Sequence, residues 1–383
     1  MLRPFQSRKG RCCVIQRRPA IDWKGIEIVS VNPTAVRSRR PQPVKCSGLR
    51  WRLFKTLAWA FLAARLFQAD GAAANDFVFK FATVTQGREI ISRDDDYIAQ
   101  MSPFDRAVRL KTERNVSEEE YLEFLRSQVG DWSDSDKATI TPVLNATRSL
   151  VADFELPWPD QIYLIKINGI ESGGTRYTRA NSIVLPQSDV TNHLPLKDLT
   201  SFSGIIAHEL FHILSRYDPE LRKQLYAAIG FVPCGEMQLP ASLAETKITN
   251  PDEPESNYCI RVKIDGSDVQ VMPFLHSRFA RYDLKRGGDL FDYLQMSFLR
   301  VPSSIIRAPT ARKLPTFQFE AVERLTGFYK QVGRNSMSDE QLEQPEEILA
   351  DNFSLLVRGI TDVPSPDIQT KIRAVLDGAR GSK

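Results

Sequence analysis

The stretch that most constrains this chain is Ile205-Ile206-Ala207-His208-Glu209-Leu210-Phe211-His212-Ile213-Leu214, an HExxH pattern set in an apolar run. Such a run reads as a buried or half-buried helix. Residues four apart on a helix lie one turn above each other, so His208 and His212 can present two imidazole nitrogens to one metal ion. Glu209 follows the first histidine by about a third of a turn. That offset lets its carboxylate reach a water at the metal without becoming a ligand. The chemistry this spacing serves is a Zn²⁺ held by neutral imidazoles, an open position for water, and Glu209 as general base. The alternative is a core helix that merely carries two histidines. With four His in 383 residues, a chance match is rare.

A catalytic zinc of this kind needs a third protein ligand. The leading candidate lies in Gln344-Pro345-Glu346-Glu347-Ile348-Leu349-Ala350-Asp351-Asn352-Phe353. Pro345 fits a first helical position, acids suit the first turn, and Gly359 can end the helix, which predicts about four turns. Glu347 and Asp351 share one face. Together the two segments resemble the active-site helices of the gluzincin (thermolysin-like) branch of the zinc metallopeptidases, whose second helix carries a ligand Glu followed four residues later by an Asp. The resemblance implies Glu347 as third zinc ligand and Asp351 as acceptor for the other ring N–H of His208, fixing its tautomer. It covers only these two helices, and the 135 residues from His212 to Glu347 exceed the gap in thermolysin-like enzymes. Glu346, Glu245 and His276 are the alternative third ligands. A metzincin would need Gly and His soon after His212, but the chain reads Ser215-Arg216-Tyr217-Asp218.

The net charge of +4 misleads about partners. Residues 1–55 hold 14 Lys and Arg against two acids, Asp22 and Glu27, a net +12, while the remainder, with 37 basic and 45 acidic residues, carries −8. The body therefore offers no case for nucleic acid. Residues 1–48 are a basic leader. Residues 49–74 form a signal-peptide pattern: Arg50, Arg52 and Lys55, an apolar run from Thr56 to Phe67, and Ala72-Ala73-Ala74 before Asn75. Twelve apolar residues are too few for a stable membrane span. The expectation is export to a periplasmic or extracellular space, with organellar import as the alternative. Cysteine use agrees, because only Cys234 and Cys259 lie beyond the leader and can pair, stabilising the fold by roughly 3 kcal/mol.

Residues 75–157 read as mainly helical, with Ser117 opening one helix at Glu118-Glu119-Glu120 and Thr141-Pro142 opening a second that runs to about Phe154. In residues 158–230, Gln161 to Ile167 is a strand, and Ile183 to Pro186 a second strand just before the HExxH helix. By the gluzincin resemblance that second strand is an antiparallel edge available to an extended peptide. Asp198 caps the HExxH helix, which should end near Tyr217, and Asp218-Pro219 opens the next, closed by Gly230. Residues 231–316 form an insertion with a β-hairpin at Tyr258 to Met272. Within it, Asn250-Pro251-Asp252-Glu253-Pro254 is a rigid loop that reads first as a structural turn, with substrate contact as the alternative. His276, Tyr258, Tyr282 and Tyr293 are candidates for a transition-state hydrogen bond. Residues 317–383 carry an amphipathic helix from Phe317 to Val332, the Glu347 helix, and a last helix after Ser365-Pro366.

These readings converge on an α+β, zincin-like fold with a small, partly antiparallel sheet on the HExxH helix. The function expected is an exported zinc metallopeptidase acting on a peptide or protein. A secreted binding protein with a structural or inactive metal site is the alternative, and the open coordination position discriminates the two.

Overall fold

A central strand takes partners along both of its edges, and it sets the position of everything around the HExxH helix. The computed structural model describes residues 77–192, 199–234, 239–255, 257–301, 318–335 and 343–379. The basic leader, the signal-peptide pattern and the Asp198 cap lie outside the described residues. Strand β1 (Val78–Phe81) leads into helices α1 (Val84–Ile91), α2 (Asp96–Gln100), α3 (Pro103–Arg109) and α4 (Glu118–Gln128). Each helix opens on a polar cap (Thr83, Asp95, Ser102 and Ser117) whose side chain accepts the N–H three residues on. After β2 (Val129–Gly130) comes α5 (Asp134–Val151). The expected start at Thr141-Pro142 is corrected here: Pro142 lies inside the helix, which opens at Ser133 with a reciprocal Ser133/Asp136 capping box. That cap, and the burial of Ile140, Val143 and Leu144, outweigh the one backbone bond the proline removes.

Strand β3 (Gln161–Ile167) is the central strand. β1 pairs with its first half in parallel, from Val78↔Gln161, and β2 with its last residues antiparallel, at Val129↔Ile167. Its other side is parallel to β5 (Ser182–Pro186), and β5 is antiparallel to β4 (Tyr177–Arg179) at Thr178↔Ile183. The expected edge strand, Ile183 to Pro186, is therefore interior at Ile183 and Val184, which have partners on both sides, while Leu185 and Pro186 pair with β3 alone. The edge is β4, because the hairpin after it folds the chain back through Ala180, whose φ is 50°.

After α6 (Gln187–Asn192) comes the HExxH helix α7 (Leu199–Tyr217), followed by α8 (Pro219–Ala228), which Asp218 caps. Ile206, Ala207, Leu210, Phe211, Ile213 and Leu214 are buried, so α7 runs through the main core. It packs against α5, β4 and a later helix at Pro345–Val357.

The insertion holds more than a hairpin. Strand β6 (Phe231–Pro233), short helix α9 (Ala241–Ala244), β7 (Tyr258–Ile264), β8 (Ser267–Ser277), α10 (Leu290–Tyr293), β9 (Leu294–Arg300) and β10 (Phe319–Glu320) follow in order. The strands make a second, antiparallel five-stranded sheet ordered β10-β9-β8-β7-β6. Asp265 and Gly266, at φ 51° and 80°, form the β7–β8 turn. A Cys234–Cys259 disulfide joins the end of β6 to β7. The expected helix from Phe317 to Val332 is corrected. Residue 317 lies outside the described residues, β10 and a 3₁₀ turn (Val322–Arg324) follow, and helix α11 (Phe328–Val332) begins only after Gly327, at φ 88°. Helix α12 (Pro345–Val357) carries the second half of the site and α13 (Pro366–Gly378) packs against it. The described residues thus form a mixed α+β fold with two small sheets. Among the described residues no helix is long and apolar enough to cross a membrane.

Candidate metal centre

Helices α7 and α12 pack together through Phe211 and Phe353, whose ring centroids are 5.6 Å apart. That packing brings residues 135 positions apart into contact. The Nε2 atoms of His208 and His212 lie 3.3 and 3.9 Å from the same oxygen, Oε2 of Glu347. Two ligands at tetrahedral positions around zinc are separated by about 3.3 Å. The three side chains therefore fit a single ion, and they form a candidate metal cluster.

Each of the three is held from behind. Nδ1 of His208 is 3.0 Å from Asp351 Oδ1, the contact the gluzincin resemblance implies. Nδ1 of His212 is 3.2 Å from Glu346 Oε1. Glu346 Oε2 also accepts from Ser215 Oγ (2.8 Å) and Tyr226 Oη (2.6 Å), and the residue is 2 % exposed. Asn250 Nδ2 donates to Glu347 Oε1 at 2.7 Å, which leaves Oε2 facing the imidazoles. With both Nδ1 atoms occupied by carboxylates, both lone pairs on Nε2 point at one place.

Glu209, the residue after the first histidine, is 4 % exposed, and its Oε2 has no hydrogen-bond partner among the described residues. Burial and the nearby Asp252 carboxylate push its carboxyl up to about 7. The other groups show how negative the centre is. Burial alone would lower both imidazoles, yet hydrogen bonds to Asp351 and Glu347 raise His208 well above its ordinary value, and Asp252, Glu347 and Glu346 raise His212 to about 9. Burial would raise Glu347, but the charges of His212 and His208 hold it at about 2. The proton affinity of the two imidazoles measures the negative charge that Asp351, Glu347, Glu346 and Asp252 gather here.

The alternative ligands separate cleanly. Glu346 sits behind His212 rather than beside Nε2, because neighbouring residues on a helix point about 100° apart. Glu245 is exposed at the end of α9. His276 lies in β8, 3.0 Å from Ser297 Oγ and stacked on Phe319 at 4.6 Å, so it is a satisfied sheet residue. Tyr282 and Tyr293 bond to the backbone of residues 283–288, and Tyr258 packs on the Tyr226 ring at 4.5 Å.

The loop Asn250-Pro251-Asp252-Glu253-Pro254, read from sequence as a structural turn, is part of the site. Asp252 Oδ1 accepts from Thr178 N (2.8 Å) and from the Thr178 hydroxyl, and lies 3.9 Å from Arg216. Glu253 Oε2 accepts from Glu346 N at 3.4 Å. Pro and Asn signal a turn but say nothing of which helix it will meet. Compared with models of protein families, with curated proteins and with solved structures, the chain matches none.

Proposed function

We propose that this protein is an exported, zincin-like zinc metallopeptidase of gluzincin type. The observation that carries the reading is the convergence of His208 Nε2, His212 Nε2 and Glu347 Oε2, with both Nδ1 atoms tied to acids. His208, His212 and Glu347 would hold the zinc. When bound, zinc supplies a Lewis acid for a peptide carbonyl and makes water acidic enough to attack near neutral pH.

Glu209 does the proton work. It takes one proton from the attacking water as the oxygen bonds to the carbonyl carbon, then delivers it to the amine nitrogen as the C–N bond breaks. Burial and an oxygen free of protein partners suit it to both halves of that transfer. Asp351 and Glu346 keep the imidazoles in the Nδ1–H tautomer, and Asn250 keeps Glu347 turned inward. The paired cysteines and the leader pattern support export.

The test is Glu209→Gln. Peptide hydrolysis should fall by at least about 10²-fold while bound zinc, measured by elemental analysis, stays at one per chain. Undiminished turnover by that variant would reject the assignment.

A further inference from the structure

The edge of the first sheet beside the metal centre is closed at one end. Thr178 N points away from β5, and it is bonded to Asp252 instead of being left free. Arg216, one turn beyond His212, reaches over the same end to Ala180 O (2.9 Å) and Thr178 Oγ1 (3.0 Å). Arg176 directly precedes this edge strand. That residue lies close enough to Glu209 for its charge to be felt there, and Asp189 holds its guanidinium at 2.8 Å. An extended peptide lying along β4 thus meets the Asn250–Pro254 loop at Thr178.

From this geometry we infer that the enzyme is an exopeptidase that removes a residue from a free N-terminus, with Asp252 receiving the substrate's α-ammonium group. The inference rests on the peptidase reading and gives its substrate class. A carboxylate oxygen of Asp252, a carboxylate oxygen of Glu209 and a ring nitrogen of His212 lie within 4.8 Å of one another. The amine of an amino acid is about 2.5 Å from its own carbonyl carbon. An ammonium bonded to Asp252 at about 2.8 Å therefore belongs to the residue whose carbonyl stands at the metal centre. One more residue on that side adds about 3.3 Å of chain and runs into the loop.

Charge decides which end of the peptide is accepted. At the closed end the Arg216 guanidinium is taken up by Ala180 O and Thr178 Oγ1 and stands 3.9 Å from Asp252 Oδ1, so the group left to meet a chain terminus is the other carboxylate oxygen of Asp252, which attracts an ammonium. Asp252 Oδ1 takes the Thr178 donors, and Oδ2 has no hydrogen bond among the described residues. A peptide antiparallel to β4 brings its N-terminus to this point. Its first residue stays at the centre, and Glu209 delivers the water's proton to the nitrogen of the second residue as the bond between them breaks.

The test uses the full zinc-loaded protein and two synthetic peptide pools of the same sequences, one with free N-termini and one N-acetylated. Mass spectrometry should find products one residue shorter from the N-terminus in the free pool and none in the acetylated pool. Internal cleavage of both pools overturns the exopeptidase inference and leaves the peptidase reading standing; no cleavage of either pool overturns both. Calorimetry on the zinc-loaded Glu209→Gln variant gives a readout with turnover suppressed. A free-amine dipeptide should bind at least about tenfold more tightly than its acetylated twin, and Asp252→Asn in that background should erase the difference. Equal affinity for the two dipeptides refutes the role of Asp252.

Discussion

Replacing Glu346 by Gln separates the job of holding a ligand from that of being one. Glu346 accepts from three donors, with His212 Nδ1 on Oε1 and the hydroxyls of Ser215 and Tyr226 on Oε2. A glutamine keeps the shape but has one acceptor oxygen. The two hydroxyl bonds, at 2.8 and 2.6 Å, draw that oxygen to their side and turn the amide NH₂ toward His212. An imidazole facing a donor must accept through Nδ1 and carry its proton on Nε2, the atom needed for the metal. Loss of such a partner typically lowers metal affinity 10–100-fold, or about 1.4–2.8 kcal/mol. Competition against a colour-changing chelator reads the affinity, and the ¹⁵N shifts of His212 in metal-free protein read the tautomer. A natively folded variant with wild-type zinc affinity and an unchanged tautomer would refute the reasoning.

Three further outcomes follow from the packing and the charges. Phe353→Ala should cost about 3–5 kcal/mol in denaturant unfolding, because Phe353 is fully buried against Phe211, Phe154 and Trp158; a loss below about 1 kcal/mol would mean that the two site helices are not clamped there. Reducing the Cys234–Cys259 bridge, which spans 25 residues, should lower stability by about 3.5 kcal/mol in the chain-entropy model, and an unmoved urea midpoint would contradict it. The Lys166 ammonium beside Asp136 holds that carboxyl at about 2 against an ordinary 3.8. A depressed folded-state value means stability that is fully present above about pH 4 and lost as pH falls to about 2. The stability gap between wild type and Asp136→Asn should therefore shrink over that window, and a constant gap would count against the pair.

Local chemistry made much of the framework legible. The i,i+4 pairs His208/His212 and Glu347/Asp351 depend only on helix pitch, and Pro345, Ser117 and Asp218 mark helix starts through their own backbone and side-chain properties. The antiparallel pairing of β7 and β8 follows from alternation around a two-residue turn. Errors fell where two local signals compete: Pro142 is as good a helix opener as it is a tolerated interior residue, and Gly327 breaks a pattern that periodicity alone carries through.

By itself the sequence determined which residues of each helix share a face, His208 with His212 and Glu347 with Asp351, while Glu346, Glu245 and His276 stayed open beside Glu347 as the third ligand. Only the tertiary structure decided that the two faces meet, that Glu346 stands behind His212, and that Asn250 and Asp252 enter from a loop. Those contacts join positions 74 to 143 residues apart. Their energy comes from how buried surfaces dock, and no periodicity along the chain records it.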